Sequence, residues 1–244
     1  MCYNCIVMRI TNGLYYINFN TEVLMKTHYY LGWFNDVFLE KLVKLLYEDI
    51  TDRKMLVMIS ANPFLHEDKE VGATERSWLD QANIIFDEYH LIDYSVQKEE
   101  AQKLIQNASV IFLLGGNTVE QNALLIEYQL SDLIKKSKAV VMGTSAGAIN
   151  MSAKWVCSKY TGYECDRSSI YNGIGLDDFS VLSHFDLENN IAQIQSELSP
   201  LSEKMNIYAS NKDCAVRVKG NKIDILGNVY LISHSKIQKL DETL

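Results

Sequence analysis

The chain has 244 residues, of which 48% are hydrophobic and only two are proline, and this composition excludes an intrinsically disordered protein. Its formal net charge of -8 at pH 7 argues against nucleic acid and anionic membranes as partners. No apolar stretch approaches the roughly 20 residues of a membrane-spanning helix, and the first residues lack a basic segment followed by an apolar one. We therefore expect a soluble cytoplasmic protein with one hydrophobic core, and homo-oligomerisation is left open.

The cysteines indicate a reducing compartment and no metal site. There are five in all, an odd number, and three of them are scattered through the second half of the chain. Cys2 and Cys5 have the Cys-x-x-Cys spacing of zinc and redox sites, but no second Cys or His pair stands at ligand spacing. The sequence predicts neither a bound metal nor a cofactor.

The first 24 residues are expected to form an N-terminal extension. Two β-like runs, 6–11 and 14–19, are joined by Asn12-Gly13, a pair that favours a type I′ hairpin turn. Met25 follows and is an equally good start residue, so an added hairpin and an upstream leader both remain open. Residues 25–244 are expected to form a single α/β domain.

From residue 26 onward, apolar runs typical of strands alternate with amphipathic helices. The predicted strands are 28–32, 54–60, 89–94, 109–116 and 139–141, and the predicted helices are 37–47, 74–87, 99–107 and 117–136. Near-continuous apolar strands separated by helices predict a mostly parallel sheet with helices on both faces. The last part, 206–237, reads as short strands around two Gly-Asn turns and predicts an antiparallel edge.

Ser145 stands in a pattern typical of a nucleophile elbow. Residues 142–150 read Met-Gly-Thr-Ser-Ala-Gly-Ala-Ile-Asn and follow a predicted buried strand. Gly143 and Gly147 leave room for a tight strand-to-helix turn, and the amide of Ala146 at the start of the next helix would face a developing oxyanion. Small residues at such a junction also serve simple close packing, so the pattern alone leaves both interpretations open.

A second glycine motif follows the strand 109–116, which ends in Gly115-Gly116. Asn117 or Thr118 can cap the helix after it. Because neighbouring parallel strands end at the same edge of a sheet, the amides of Gly115 and Gly116 are candidates for the other half of an oxyanion hole beside Ser145. The alternative is a plain tight turn.

His184 is the predicted general base among five histidines. It ends the apolar run 179–184, where a strand gives way to a polar segment, and so can share an edge with Ser145. Histidine is the usual base for a serine nucleophile because its pKa lies near neutrality. A purely structural histidine is the alternative.

Taken in order, Gly115-Gly116-Asn117-Thr118, the segment 143–148 and Ser183-His184-Phe185 resemble the peptidase E and cyanophycinase family of serine peptidases. The resemblance extends from about residue 25 to near the C-terminus. It implies a flavodoxin-like sheet related to class I glutamine amidotransferases, with a small peptide as substrate. It also implies that Ser145 is the nucleophile and His184 its base, with a glycine of 115–116 and Ala146 holding the oxyanion.

The sequence departs from this family at two places. Peptidase E completes its triad with a Glu in a segment resembling 210–215, where Lys212 aligns best and Asp213 is the nearest carboxylate. We expect Asp213 to be the third member, with Glu164, Asp166 and Asp186 as competitors. Peptidase E also reads an N-terminal aspartate with an Arg soon after its His, and 187–204 contains no Arg, so a preference for aspartyl dipeptides is not implied.

Two other functions remain open. The first is a non-catalytic binding protein with an incomplete triad. The orientation of Lys212 distinguishes it from an active hydrolase, because a Lys aimed at the imidazole would disfavour imidazolium. A glutamine amidotransferase-like enzyme is the second, and it is less favoured because the elbow carries Ser rather than the Cys thiolate that this chemistry prefers.

Overall fold

The computed structural model describes the backbone of residues 5–10 and 13–18 and all atoms of residues 26–65, 71–159 and 168–243. At the N-terminus, β1 (Cys5–Ile10) pairs antiparallel with β2 (Gly13–Asn18), and Ile10 lies opposite Gly13. Two paired strands were predicted here. The turn residues 11 and 12 lie outside the described residues, and a separate extension over 1–24 stays a prediction.

The remaining strands are β3 (Thr27–Leu31), β4 (Met55–Ala61), β5 (Glu88–Ile92), β6 (Val110–Gly116), β7 (Val140–Thr144), β8 (Lys154–Cys157), β9 (Ser169–Asn172), β10 (Ser180–Leu182), β11 (Ile207–Ser210), β12 (Ala215–Lys219), β13 (Lys222–Leu226), β14 (Val229–Ser233) and β15 (Lys236–Lys239). The helices are α1 (Glu40–Asp49), α2 (Ala73–Gln81), α3 (Lys98–Asn107), α4 (Thr118–Glu127), α5 (Ser131–Lys136), α6 (Ala146–Met151), α7 (Ile191–Gln193) and α8 (Ser199–Ser202), with a π-helical turn over Ile194–Leu198 between the last two.

Seven strands form the central sheet, in the order β13-β12-β3-β7-β6-β4-β5. The five strands from β3 to β5 in this order are parallel, and β12 runs antiparallel to both β3 and β13. A second sheet has the order β10-β11-β14-β15, in which only β10 and β11 are parallel. The predicted α/β class, a mostly parallel sheet with antiparallel strands near the C-terminus, is confirmed.

Helices cover both faces of the central sheet, which explains the near-continuous apolar strands. Successive residues of one strand point to opposite faces and enter different apolar clusters. One cluster contains Tyr30, Val57, Ile111 and Val141, and the other contains their neighbours Tyr29, Leu56, Phe112 and Met142. Within the described part of the chain, none of the helices is long and apolar enough to cross a bilayer.

Two helices are shorter than the sequence pattern predicts, for the same reason. The predicted helix 117–136 is divided into α4 and α5 at Gln129, whose φ is +55°. The predicted helix 74–87 ends as α2 before Asn83, whose φ is +57°. In each case the next backbone N–H donates to a carbonyl five residues back, Leu130 to Leu125 and Ile84 to Leu79, which is the Schellman form of helix termination. The predicted helix 37–47 lies slightly later, at Glu40–Asp49.

Candidate active site

Ser145 occupies a sharp turn between β7 and α6. Its backbone has φ +48° and ψ -111°, an unusual conformation for a residue with a side chain, and the residue is 9% exposed. The Ser145 N–H donates to the carbonyl of Leu31 on β3 at 3.3 Å, and the Ser145 carbonyl accepts from the Ile149 N–H at 3.0 Å. The turn therefore holds Ser145 at the carboxyl-terminal edge of the central sheet.

Two glycines allow this turn because the chain packs against itself there. A Cβ on Gly147 would lie 2.0 Å from the carbonyl oxygen of Leu113 on β6. A Cβ on Gly143 would lie 2.6 Å from the carbonyl carbon of Gly147. Since real Cβ atoms essentially never approach so closely, β7 and α6 reach this separation only with glycine at both positions.

His184 lies directly against the serine. Its Nε2 is 3.0 Å from Ser145 Oγ, and the residue as a whole is exposed. The His184 backbone is left-handed, with φ +57°, and the next N–H, of Phe185, donates to the carbonyl of Ser210 at 2.9 Å. The structure therefore brings together the two residues that the sequence analysis paired, at a distance suited to proton transfer.

Asp213, in contrast, is not joined to His184. Within the described residues, neither a hydrogen bond nor an ion pair links a carboxylate to the His184 ring, and Asp213 instead accepts from Asn35 Nδ2 at 3.4 Å. The cause is a contact with the loop 32–36: Asp213 has φ +49°, and its N–H donates to the Trp33 carbonyl at 3.0 Å, which turns the residue toward that loop. Lys212 is exposed.

The competing carboxylates do not reach the imidazole either. Asp186 accepts from the backbone N–H groups of Glu188 and Asn189, at 3.0 and 3.2 Å, and so organises its own turn. Glu164 and Asp166 lie outside the described residues. Within the described part of the chain, no carboxylate is therefore hydrogen-bonded or ion-paired to the His184 ring.

The Gly115-Gly116 segment ends β6 beside Ser145, but its first amide is already occupied. The Gly115 N–H donates to Glu75 Oε1 at 3.0 Å, so this amide is not free for an oxyanion, contrary to the expectation for Gly115. Gly116 has φ +138°, a conformation reserved for glycine, and a Cβ there would lie 2.6 Å from Asn62 Nδ2. Ala146 begins α6, where backbone N–H groups lack intrahelical acceptors.

The helix after the glycines is capped as predicted. Asn117 Oδ1 accepts from the backbone N–H groups of Val119 and Glu120, at 3.0 and 3.1 Å. This cap fixes the start of α4 directly after Gly116.

Glu75, which the sequence pattern did not single out, is 4% exposed and lies in the first turn of α2. Burial raises the pKa of its carboxyl, although the hydrogen bond from the Gly115 N–H opposes this shift. A signal was available, because Glu75 precedes the buried Trp78 and Leu79 by three and four positions and so shares their helix face.

The Ser145–His184 pair is not part of a metal-ligand group among the described residues, and it does not line the cavity beside β8. Among the described residues, no group of three or more His, Cys, Asp or Glu side chains is arranged to hold a metal ion, and the side chains of Cys2 and Cys5 lie outside them. A cavity of about 530 Å³ lies between β8, β9 and α8, and its lining residues do not include Ser145 or His184. The candidate site is therefore defined by the Ser145–His184 pair and not by this cavity.

Comparison with known proteins gives sequence relatives that cover part of the chain. Two are cyanophycinases, from Synechococcus elongatus and Geminocystis herdmanii, which are 28% and 26% identical over 138 residues. Each alignment covers 54% of this chain, and it covers 43% and 51% of the two relatives. The chain thus spans about half the length of the curated relatives that it matches.

Solved structures match nearly the whole fold. A peptidase from an acI-B1 Actinobacterium superposes with a TM-score of 0.64 at 17% identity, covering 90% of this chain and 96% of that one. A peptidase E-like protein from Listeria monocytogenes EGD-e superposes with a TM-score of 0.56 at 17% identity, covering 89% of this chain and all of the other. The sequence model that describes peptidase family S51 matches residues 38–226 of this chain, a range that includes both glycine motifs, Ser145 and His184. The chain belongs to peptidase family S51.

Proposed function

We propose that this protein is a serine-type hydrolase that cleaves small peptides, with Ser145 as nucleophile and His184 as general base. The observation that carries the proposal is the 3.0 Å separation of Ser145 Oγ and His184 Nε2 at a strained strand-to-helix turn. Such a turn has the form of a nucleophile elbow, which exposes a hydroxyl beside the first amide of a helix. Membership of a peptidase family supports the same chemistry.

In the proposed reaction, His184 Nε2 takes the Ser145 proton as Oγ attacks the substrate carbonyl. The N–H groups of Gly116 and Ala146 stabilise the tetrahedral oxyanion. His184 then gives the proton to the leaving amine, and a water molecule, activated by the same imidazole, hydrolyses the acyl-enzyme. The Gly115 amide is left out of this role because it is bonded to Glu75.

Small peptides are proposed as substrates by analogy with the fold, in which the elbow lies in a cleft rather than on an open groove. The cyanophycinase relatives support a hydrolase, but they are matched over only about half of their length. Because 187–204 contains no Arg, we do not propose a preference for an N-terminal aspartate. The buried thiol of Cys214, which forms no disulfide, supports a cytoplasmic location.

A non-catalytic binding protein is the second candidate, and one observation favours it. Within the described residues, the His184 ring has no carboxylate partner, so no such group stabilises an imidazolium. Lys212 gives this candidate little support, because the residue is exposed and solvent screens its charge. The two candidates differ in whether Ser145 turns over substrate.

The test is hydrolysis of a panel of short peptides by the wild type, Ser145→Ala and His184→Gln. We expect each variant to lose about 10³-fold or more in kcat, because the nucleophile and its base act as a unit. Ser196→Ala is the matched control, since its exposed hydroxyl donates only to the Ala192 carbonyl of its own helix. Equal rates for the wild type and Ser145→Ala would remove the hydrolase proposal, and binding of the peptides without turnover by any of the proteins would favour the second candidate.

A further inference from the structure

Glu75 is a buried acid that the proposed reaction does not use. It projects from the first turn of α2 against the end of β6, and its Oε1 accepts from the Gly115 N–H at 3.0 Å. A Cβ on Gly115 would meet Trp33 Cζ3 at 3.0 Å and Glu75 Oε1 at 3.6 Å, so the carboxyl packs directly beneath this backbone. Burial raises the pKa of the Glu75 carboxyl, and backbone hydrogen bonds from Gly115 and from Glu75 itself lower it.

The peptide unit between Leu114 and Gly115 is held at both ends. Its N–H is bonded to Glu75, and its carbonyl accepts from Gln121 Nε2 at 3.1 Å. Gln121 is fully buried, and the same Nε2 also donates to the carbonyl of Ile59 on β4 at 3.0 Å. Two side chains from two different helices therefore fix the orientation of one peptide group at the strand end.

On its other side, Gly116 is fixed by the sheet. The Asn117 N–H donates to the Ala61 carbonyl at 3.2 Å, and Asn117 itself caps α4. Gly116 is thus bracketed by anchored peptide groups while its own φ is +138°. Without the anchors, a glycine pair has the greatest backbone freedom of any dipeptide and would not hold its amide in one direction.

The same anchors connect to the helix that carries the nucleophile. Asn150 on α6 donates through Nδ2 to Gln121 Oε1 and to the Thr118 carbonyl, both at 3.0 Å. Buried amide networks of this kind are strongly favourable only when every member is satisfied, and they then specify one arrangement. The chain of contacts runs from Glu75 through the 114–115 peptide and Gln121 to Asn150, five residues after Ser145.

We propose that Glu75 is a positioning residue for the oxyanion-binding backbone, acting through the Gly115 amide to hold Gly116 beside Ser145. This inference rests on the proposed hydrolase function for its catalytic consequence, but the anchoring itself is independent of activity. Glu75 does not touch substrate. Its effect is on the direction of a backbone donor that must be in place before negative charge develops.

The experiment compares the wild type with Glu75→Ala, which removes the acceptor, and Glu75→Gln, which keeps an oxygen of the same shape. Glu99→Ala is the matched control, because Glu99 also lies in the first turn of a helix but is exposed, so it reports the loss of a charge near a helix N-terminus. We expect Glu75→Ala to lose about tenfold to hundredfold in kcat with little change in KM, a loss below that for deleting a donor outright. Glu75→Gln is expected to recover most of the rate.

A second readout does not need activity. Labelling with ¹³C-carbonyl leucine and ¹⁵N glycine selects Leu-Gly pairs, and the sequence has them only at Gly32, Gly115 and Gly227. Gly32 and Gly227 serve as internal controls, because their N–H groups donate to the Cys214 carbonyl and to the Glu242 carboxylate. In Glu75→Ala we expect Gly115 hydrogen exchange to accelerate at least about tenfold, with Gly32 and Gly227 unchanged and Gly115 protection largely restored in Glu75→Gln.

The two readouts separate the two proposals. Faster Gly115 exchange together with reduced kcat and recovery in Glu75→Gln supports the inference. Unchanged Gly115 exchange in Glu75→Ala overturns it, and so does faster exchange with an unaltered kcat in an active enzyme. If the wild type shows no hydrolysis and Ser145 carries no reactivity, the hydrolase proposal fails, and Gly115 exchange alone then decides whether Glu75 anchors this backbone.

Discussion

Replacing Gly147 with Ala perturbs the contact that sets the position of Ser145. Gly147 is the second residue of α6, and a Cβ there would lie 2.0 Å from the Leu113 carbonyl oxygen and 2.5 Å from its carbon. Ordinary contacts of this kind begin at 3.4 Å, so α6 and β6 must separate by roughly 1 Å or more. The obstacle is the backbone of a central strand, which cannot turn aside as a flexible side chain can.

Two opposing effects determine the stability of this variant. Alanine is favoured over glycine inside a helix by about 1 kcal/mol, whereas overpacking costs about 1–3 kcal/mol and occasionally more. Because the clash is with fixed backbone, we expect the cost of overpacking to be at or above the top of its range. The free energy of unfolding should therefore fall by about 2 kcal/mol in total. For a domain of this size, that loss lowers Tm by roughly 4–8 °C. A shift of about 1 Å in the nucleophile is expected to reduce kcat about 10²-fold.

Thermal unfolding followed by circular dichroism, with peptide hydrolysis on the same samples, measures both effects. Gly175→Ala is the matched control: its φ of +73° imposes a backbone cost of about 1–2 kcal/mol, but the nearest atom to a Cβ is Lys135 Nζ at 3.6 Å. We expect this control to lose about 2–8 °C in Tm, which overlaps the loss for Gly147→Ala, but to keep full activity, so activity separates the two variants. A Tm for Gly147→Ala equal to or above that of the wild type, with full activity, would refute the described packing of α6 on β6.

Three further predictions concern charged and capping groups. Burial raises the pKa of Glu75, so folding favours its protonated form, and the associated stability is lost as pH rises through the folded-state pKa. Glu75→Gln should therefore gain Tm relative to the wild type as pH rises from the ordinary carboxyl range through that raised pKa. A Tm difference that stays constant with pH would contradict this. Asn117→Ala should lower the free energy of urea unfolding by about 1 kcal/mol, and Asn117→Ser should lower it less. Equal losses in the two variants would argue against the cap. Arg217 donates to Asp49 through Nε and Nη2, at 2.7 and 2.8 Å, and both side chains are buried. Arg217→Ala should therefore lower the free energy of unfolding by about 3–5 kcal/mol. Burial opposes ionisation of Asp49, but hydrogen bonds from Arg217 and Lys219 lower its pKa. The free energy of unfolding of the wild type should therefore fall as pH falls through the folded-state pKa, and that of Arg217→Ala should depend less on pH in the same range. The same pH dependence for both proteins would contradict the assignment.

The parallel sheet could be predicted because its strands carry their own signal. Strands such as β4 and β6 are buried on both faces and therefore read as unbroken apolar runs, and the helices between them follow an apolar period of three and four. Gly143 and Gly147, which flank Ser145, could also be interpreted from the sequence, because the close backbone approach at this turn leaves no other residue type possible. The order of motifs along the chain then placed Ser145 and His184 at one edge of the sheet.

Other features depend on contacts that a linear pattern does not contain. The breaks at Asn83 and Gln129 are left-handed residues inside apolar periodic stretches, and the helical period continues through them in the sequence. The orientation of Asp213 is set by a backbone bond to Trp33, which is distant in the sequence. Occupation of the Gly115 amide by Glu75 joins residues 40 positions apart, so the sequence could place Glu75 on a buried helix face but not name its partner.

The central claim is that Ser145 carries a hydroxyl activated by His184. Its most direct test is reaction of the full chain with a fluorophosphonate probe, followed by mass spectrometric mapping of the labelled peptide, with Ser145→Ala, His184→Gln and Ser196→Ala treated in parallel. We expect one adduct, at Ser145, that disappears in Ser145→Ala, forms far more slowly in His184→Gln and is unchanged in Ser196→Ala. An unlabelled Ser145, or labelling at Ser145 that is as fast without the His184 imidazole, would contradict the account.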